Sequence, residues 1–448
     1  MRVINNLFSI ALVFVFVSVT TVNAQTGNIA DQKKSVSEFN VNGLTVLVRK
    51  RDTAKTVSGG LFIRGGARNI DQKTAGIELL TLRSATEATK NYSRDVLRRE
   101  LSATGSSLGA GVSNDYGVIN FATTSADFDR TWMAFSDVVL NPTFAAEDVE
   151  RVREVLLTSL RNREDDADSF LDSLQEKIIY AKHPYSNDVS GTIETISAFK
   201  PADLKNYHKD MLQTSKLLLV VVGNVDPSVV KSNVEASFGK LPVGKYKETP
   251  YPALDFSKGT LDVTSRQLPT NYIKGIFQAP SIAEKDYYPM RVAVTILRNR
   301  LFREVRQERQ LSYAPSAGLD TFAVNTANIY VTAVNANLTM KVMLDEVKRL
   351  RRDEVSPREI ESVAGGFLTT YFLDQETNSG QAVNLAKFEL IGGGWENSFE
   401  LLNRINAVTP EDVKDVSRKY MRNLRFVVVG NPIAIERSIF LQNLDEVE

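Results

Sequence analysis

The sequence has no cysteine and only two histidines, His183 and His208, in 448 residues. The lack of cysteine excludes disulfide bonds, thiol nucleophiles and cysteine-ligated metals. The two histidines are too far apart to sit one helical turn from each other, which is the spacing that paired zinc ligands use on a helix. The chain therefore offers few of the side chains that bind transition metals.

The sequence also lacks an excess of either charge, because 54 Lys and Arg residues balance 54 Asp and Glu residues. This balance argues against nucleic acid as a partner, since phosphate binding requires a basic face. Beyond the N-terminus no apolar run is long enough to cross a bilayer, so we expect no membrane span in the mature chain. The length allows two or more domains.

The first 24 residues have the three parts of a secretory signal. Arg2 gives a basic start, residues 7–17 form an apolar core, and small residues precede Gln25. This pattern predicts a signal peptide at 1–24 that is cleaved after Ala24. An uncleaved anchor is the alternative. In both cases the chain works outside the cytoplasm, and we expect the periplasm of a Gram-negative bacterium.

Two segments of the sequence occur twice. Residues 196–205 match residues 405–414, and residues 219–224 match residues 426–431, ending in Gly-Asn in both copies. Each copy predicts a capped helix followed by a buried strand, which indicates a duplication.

The duplication divides the mature chain into two halves of similar size. We predict an N-terminal domain at 25–242, a linker at 243–257 that contains proline and lysine, and a C-terminal domain at 258–448. Strands mixed with helices in each half predict α+β domains, with helices packed on one face of a sheet.

One stretch, residues 65–84, leads from a strand end through a loop into a helix. Its Gly-Ala-Arg loop and the Ala-Gly-Ile that precedes the helix resemble the pitrilysin/insulinase family of inverted-zincin metallopeptidases. In that family His-x-x-Glu-His follows directly. The two histidines hold zinc from one helix face, and the glutamate acts on the bound water.

The resemblance places Leu79 and Arg83 at the two histidine positions and Leu82 at the glutamate position. On the later helix, Ser159 falls at the position of the third zinc ligand, a glutamate in the family. Leucine has no lone pair to donate, arginine stays protonated, and a serine hydroxyl is a poor zinc ligand. The resemblance therefore implies a family member that has lost its metal site, with no cofactor in this chain.

A second family motif resembles residues 301–313, where Arg306 and Tyr313 lie seven positions apart. In the family such a pair reaches over from a distant domain, binds the substrate carbonyl and stabilises the oxyanion. Read without the resemblance, Arg306 is one of several exposed helix charges and Tyr313 an aromatic residue at the start of a strand. The resemblance favours the functional interpretation.

Residues 106–121 are small and β-prone. In the resembled family this place holds an edge strand that pairs with an extended substrate peptide. A plain strand with a bulge is the alternative. We interpret His183 as a structural loop residue, and His208 as a surface or half-buried side chain on a helix.

The resemblance covers residues 37–435 and implies a fold and a function. It implies two homologous α+β domains, each a mixed, mostly antiparallel sheet with helices on one face, that together form half of a clamshell. Some family members are heterodimers in which one chain keeps zinc and the other keeps only the Arg/Tyr pair. This sequence resembles the second kind. The expected partners are a homologous secreted chain with an intact His-x-x-Glu-His, which carries the zinc, and peptide substrates.

Two other functions stay open from the residues. One alternative is a proteolytically inactive peptide-binding or scaffold protein, including a homodimer. A neighbouring gene for a chain with His-x-x-Glu-His would argue against this alternative. An active peptidase with unorthodox ligands would need metal donors that these positions do not have.

Overall fold

The first hairpin of the chain turns at Asn42 and Gly43, whose φ values are positive at 49° and 86°. It joins β1 (Val36–Val41) to β2 (Leu44–Lys50), which pair antiparallel. The Asn-Gly dipeptide favours this hairpin because both residues tolerate left-handed backbone. The structure is a computed structural model that describes residues 29–445.

Nine further strands complete the two sheets. They are β3 (Thr56–Arg64), β4 (Ser107–Val112), β5 (Tyr116–Thr124), β6 (Leu217–Gly223), β7 (Thr260–Ser265), β8 (Asn271–Ala279), β9 (Ser316–Leu319), β10 (Asn325–Ala333) and β11 (Arg425–Gly430).

Helices connect and cover the strands. They are α1 (Ile29–Lys34), α2 (Ile77–Ala85), α3 (Arg94–Ala103), α4 (Phe128–Leu140), α5 (Ala146–Asp165), α6 (Ala167–Ile179), α7 (Ile193–Ala198), α8 (Pro201–Met211), α9 (Pro227–Ser237), α10 (Tyr287–Leu301), α11 (Ala336–Arg352), α12 (Pro357–Glu376), α13 (Asn378–Ile391), α14 (Leu401–Asn406), α15 (Pro410–Tyr420) and α16 (Arg437–Phe440).

The two sheets repeat one topology. The first has the order β1-β2-β6-β3-β5-β4 and the second the order β7-β11-β8-β10-β9, so without β1 they correspond strand by strand. Each sheet contains one parallel pair, β2 with β6 and β7 with β11, and the other pairs are antiparallel. The predicted fold class, two homologous α+β domains on mixed, mostly antiparallel sheets, is confirmed.

The first sheet is covered on one face by helices of its own domain. Trp132 and Phe135 of α4 and Val230 of α9 belong to the core cluster on this face. The opposite face is covered by α13, which comes from the second half of the chain. Leu385 and Ala386 of α13 share a buried cluster with residues of β2, β3 and β6.

The second sheet receives a helix from the first half in the same way. Leu171 and Ile179 of α6 pack with Ile276 of β8 and Val427 of β11. Each domain therefore lends one helix to the other, and each sheet is buried on both faces. Helices were expected on one face of each sheet. The helix on the other face was not predicted, because local sequence patterns do not reveal a helix supplied by the other half of the chain.

Burial on both faces explains the composition of the central strands. All seven residues of β6, Leu217–Gly223, are buried. A strand exposed on one face would alternate between apolar and polar residues, whereas a strand covered on both faces is continuously apolar. The repeated apolar run therefore marks the strand that crosses the middle of each domain.

A buried carboxylate joins the two domains. Asp115, in the turn between β4 and β5, accepts a hydrogen bond from the Tyr185 hydroxyl at 2.5 Å. It also accepts one from the backbone N–H of Ala323, in the second domain, at 3.1 Å. Burial raises the pKa of Asp115, and the hydrogen bond from Tyr185 partly offsets this effect. The contact links a turn of the first sheet to the loop before β10.

Some predicted features lie outside these observations. The predicted signal peptide, 1–24, is not part of the described residues. Residues 243–257 contain no helix or strand, and the domain boundaries on either side of them stay predictions. Among residues 29–445, no helix is both long enough and apolar enough to span a bilayer.

Candidate functional site

Helix α2 carries the positions at which the resembled family places its histidines and its catalytic glutamate. It follows Gly76, whose φ of 81° is left-handed and favours glycine. Leu82 is fully buried in the core of the first domain, and Leu79 is 6% exposed. Arg83 is half-buried.

Helix α5 carries the position of the third ligand. Its Leu156 and Leu160 share an apolar cluster with Leu79 of α2, while Ser159 is exposed. The contact between the two helices is therefore made by leucine side chains. Aliphatic groups, a guanidinium and a hydroxyl do not form a zinc-binding donor set. Elsewhere in residues 29–445, no three His, Asp or Glu side chains come close enough to hold a metal ion.

A buried carboxylate that the sequence analysis missed lies beside Leu79. Glu78 is 3% exposed and accepts a short hydrogen bond from the Tyr207 hydroxyl and a longer one, 3.5 Å, from the Asn69 amide. Its other oxygen, Oε1, has no hydrogen-bond partner among the described residues. Gly117 accommodates this oxygen, since a Cβ at Gly117 would lie 2.1 Å from it.

The surroundings of Glu78 change its acidity. Burial raises the pKa of Glu78, and the hydrogen bond from Tyr207 and the charge of Lys216 oppose that shift. Burial lowers the pKa of Lys216, with Glu78 as the largest opposing influence. The sequence did contain a signal, because Glu78 is the only charged residue between Lys73 and Arg83.

Arg306 and Tyr313 come together in the second domain. Helix α10 continues into a π-helical segment, Phe302–Glu308, that carries Arg306. The Arg306 guanidinium carbon lies 3.8 Å from the ring centroid of Tyr313 and 4.9 Å from that of Phe302. Two aromatic rings therefore attract the cation through their ring electrons. Single-turn π segments are often found at functional sites.

The guanidinium of Arg306 lacks an acidic partner among the described residues. The nearby Glu304 pairs instead with Arg303, at 3.3 Å, and Arg309, at 3.8 Å. Within residues 29–445, no carboxylate lies within 4.0 Å of Arg306, and Tyr313 is 77% exposed. The pair is therefore open to an external oxygen ligand.

The two candidate regions of the chain are separate. In the described part of the chain, no hydrogen bond, ion pair or ring contact joins Arg306 or Tyr313 to α2 or α5. Arg306 and Tyr313 therefore make no described contact with the helices that carry the lost zinc positions. Their role stays a prediction.

Strand β4 is an edge of the first sheet. Its register with β5 runs without a break from Ser107 opposite Ala122 to Val112 opposite Gly117, so the pairing contains no bulge. The other side of β4 has no neighbouring strand in residues 29–445. A Cβ placed on Gly111 would meet open space, so the face of the sheet is uncovered at this position of the edge strand.

Both histidines have structural partners. His183 is buried, and its Nδ1 accepts a hydrogen bond from the backbone N–H of Tyr185 at 3.1 Å. His208 is also buried, with Nε2 2.8 Å from the carbonyl oxygen of Val139. The expectation that His208 is a surface or half-buried residue is wrong, because the Val139 carbonyl at the end of α4 gives the ring a buried partner.

Comparison with known proteins identifies the class. The profile "Insulinase (Peptidase family M16)" matches residues 45–193, and "Peptidase M16 inactive domain" matches residues 198–365. The chain belongs to the peptidase M16 family and lacks the family's zinc motif. This confirms the resemblance to insulinase-type peptidases.

Individual relatives match over most of the chain. An uncharacterized zinc protease of Mycobacterium tuberculosis is 25% identical over 407 residues, which are 89% of this chain and 93% of that protein. The crystal structure of a peptidase M16 inactive domain from Pseudomonas fluorescens has a TM-score of 0.78 and 19% identity, covering 90% of this chain and 99% of that one. The periplasmic protease PqqL of Escherichia coli has a TM-score of 0.75 and 16% identity, covering 92% of this chain but 50% of PqqL.

Proposed function

We propose that the chain is a non-catalytic subunit of a secreted zinc metallopeptidase. It would form half of a clamshell chamber, bind peptide substrate there, and contribute Arg306 and Tyr313 to the active site of a zinc-binding partner. The observation that carries this proposal is the contrast between the two motifs. The zinc-ligand positions hold Leu79, Arg83 and Ser159, whereas the Arg/Tyr pair is stacked and, within residues 29–445, lacks an acidic partner.

The lengths of related structures support the pairing of two chains. This chain matches half of PqqL, with a TM-score of 0.75. Two chains of this size would therefore match the length of one PqqL chain. The expected partner is a homologous secreted chain with an intact His-x-x-Glu-His motif, and zinc would be bound there.

The chemistry of the pair suits this role. Arginine is a permanent cation and a tyrosine hydroxyl is a hydrogen-bond donor, so both stabilise negative charge that develops on a carbonyl oxygen. Contacts of the guanidinium with the rings of Phe302 and Tyr313 limit the orientations of Arg306. The free edge of β4 can pair with the backbone of an extended peptide, which would hold substrates of varied sequence.

We place this function in the periplasm, because residues 1–24 have the form of a cleavable signal. Fractionation of the native host, followed by N-terminal sequencing, tests this. A mature protein in the periplasmic fraction that begins at Gln25 supports the assignment, and a cytoplasmic protein that begins at Met1 contradicts it.

Affinity purification of the tagged chain from its host, followed by mass spectrometry, tests for the partner. Turnover of a quenched fluorescent peptide by the reconstituted pair then tests Arg306. We expect Arg306→Ala to lower kcat about 10²–10³-fold, as for other oxyanion donors, with no change in assembly. Arg303→Ala is the matched control, because Arg303 is exposed and pairs with Glu304.

Two results would count against the proposal. Unchanged turnover by the Arg306→Ala pair would reject a catalytic contribution. Purification of the chain only with itself, as a homodimer without peptidase activity, would favour the alternative function as a peptide-binding or scaffold protein.

A further inference from the structure

The second domain has a cavity at the place that corresponds to the lost zinc site. Helix α10, edge strand β9 and helix α12 enclose about 540 Å³. They follow the same chain order and sheet positions as α2, β4 and α5 in the first domain. Helices α5 and α12 are both 20 residues long, and each is followed directly by the helix that crosses to the other domain. The family-derived zinc positions lie on α2 and α5.

The residues of α10 that line the cavity lie on one side of the helix. Arg291, Val294, Thr295 and Arg298 line the cavity, and their spacing of three, four and seven residues places them on one side of a helix. Phe367 of α12 contributes an apolar surface. The cavity thus combines two cationic groups with apolar walls, and its volume is within the range of ligand-binding pockets.

The two arginines of the cavity lack acidic partners in the part of the chain that the structure describes. The Arg291 guanidinium carbon lies 4.8 Å from the centroid of the Phe367 ring, and in residues 29–445 no carboxylate lies within 4.0 Å of Arg291 or Arg298. By contrast, Arg300 on the same helix pairs with Glu359 at 2.9 Å.

A third cation adds to this excess of positive charge. Lys387 of α13 has a pKa lowered by burial first and then by the charge of Arg291. The charge of Asp374 acts in the opposite direction. Arg291 is half-buried and Arg298 is exposed, so an anion in the cavity would meet two cations that have no carboxylate within 4.0 Å in residues 29–445.

We propose that this cavity binds a peptide through a carboxylate that adjoins an apolar residue. The guanidinium groups of Arg291 and Arg298 would hold the carboxylate, as arginine forks commonly do. Val294 and Phe367 would contact the apolar side chain. This site is independent of Arg306 and of any catalytic partner, so it goes beyond the proposed function.

Fluorescence anisotropy with the purified chain tests the proposal. The probe is a fluorescein-labelled hexapeptide that ends in phenylalanine with a free carboxylate, compared with the same peptide as its amide. We expect the carboxylate to bind at least about tenfold more tightly, the value of one charge-assisted interaction. Arg298→Gln and Arg291→Gln should each weaken binding of the carboxylate peptide about tenfold, which would bring its affinity close to that of the amide peptide.

Three controls make the outcome interpretable. Arg303→Gln removes an exposed arginine outside the cavity and should leave binding unchanged. Arg309→Gln removes a second exposed arginine, one that pairs with Glu304, and should also leave binding unchanged. Circular dichroism checks that Arg291→Gln and Arg298→Gln are folded.

Two results would overturn the proposal. One is binding that does not depend on the contact between carboxylate and arginine, seen as equal affinity for the two peptides or as unchanged binding by folded Arg298→Gln. The other is displacement of the probe by acetate or inorganic phosphate at concentrations as low as those of unlabelled peptide, which would make the cavity a site for small anions instead.

Discussion

The guanidinium of Arg306 stacks on the ring of Tyr313, with 3.8 Å between the guanidinium carbon and the ring centroid. The two side chains are seven positions apart, and the turn after the π-helical segment returns the chain to bring them together. Gln310 makes that turn possible with a φ of 51°. The Leu311 N–H closes it by donating a hydrogen bond of 2.8 Å to the carbonyl of Val305.

This geometry predicts that Arg306 contributes little to folding. Exposed cation–π contacts contribute about 0.5–1 kcal/mol, so Arg306→Ala should lower the free energy of unfolding by no more than about 1 kcal/mol. Arg300→Ala is the contrasting variant, because Arg300 is buried and pairs with Glu359, and it should cost about 2–4 kcal/mol. Urea denaturation measures both. A loss for Arg306→Ala as large as that for Arg300→Ala would show that the stack is structural.

Restoring the family's residues at the lost zinc-site positions should lower the free energy of unfolding by different amounts at different positions. Leu82→Glu would place a carboxylate in an apolar core, near Glu78, since both side chains approach Gly117. We expect a loss of at least about 3 kcal/mol in the free energy of unfolding. Ser159→Glu, on an exposed position of α5, should change it by less than about 0.5 kcal/mol. Thermal melts of the two variants compare them, and a tolerated Leu82→Glu would contradict the packing described for α2.

The helix that crosses from the second domain should stabilise both domains. Leu385 of α13 is 1% exposed against the first sheet, so Leu385→Ala should cost about 2–5 kcal/mol. Val383→Ala, 39% exposed on the same helix, is the control and should cost little.

Because the two sheets share helices, we also expect one cooperative unfolding transition. Tryptophan fluorescence reports on Trp132, in the first-domain core, and on Trp395, beside α13. This signal should change at the same urea concentration as far-UV circular dichroism. Separate transitions would mean that the domains fold independently.

The raised pKa of Glu176 in α6 predicts that the free energy of unfolding depends on pH. Burial, followed by the charge of Asp188, raises the pKa of Glu176 to about 7. A carboxyl whose pKa is higher in the folded state stabilises the fold fully below its ordinary pKa of 4.5. That contribution is lost as the pH rises to about 7. Because the side chain is only half-buried, we expect a loss of about 1–3 kcal/mol between pH 4.5 and 7.5.

The variant Glu176→Gln should not show this loss. It should match the wild type near pH 4.5 and exceed it in stability at pH 7.5. Glu154→Gln, on an exposed position of α5, removes the same charge and serves as the control. Urea denaturation at the two pH values gives the comparison, and parallel curves for wild type and Glu176→Gln would rule out the effect.

Local sequence patterns predicted those parts of the fold that depend on short-range geometry. The apolar strand β6 and its repeat at β11 were predicted because the burial of a strand leaves a signature within a few residues. The buried environment of Glu78 was not predicted. Its partner Tyr207 and the space beside Gly117 come from distant parts of the chain.

The sequence alone determined which chemical groups the chain can use. It has leucine, arginine and serine where zinc ligands would be, and it retains Arg306 and Tyr313 at the spacing of the family pair. Only the tertiary structure decided what surrounds those groups. It brings α6 and α13 across to the opposite sheets and stacks Arg306 on Tyr313. It also places Arg291 and Arg298 at a cavity where no carboxylate of residues 29–445 pairs with them. The reason is physical: donor chemistry belongs to single side chains, whereas burial and charge pairing depend on residues that folding brings together from distant parts of the chain.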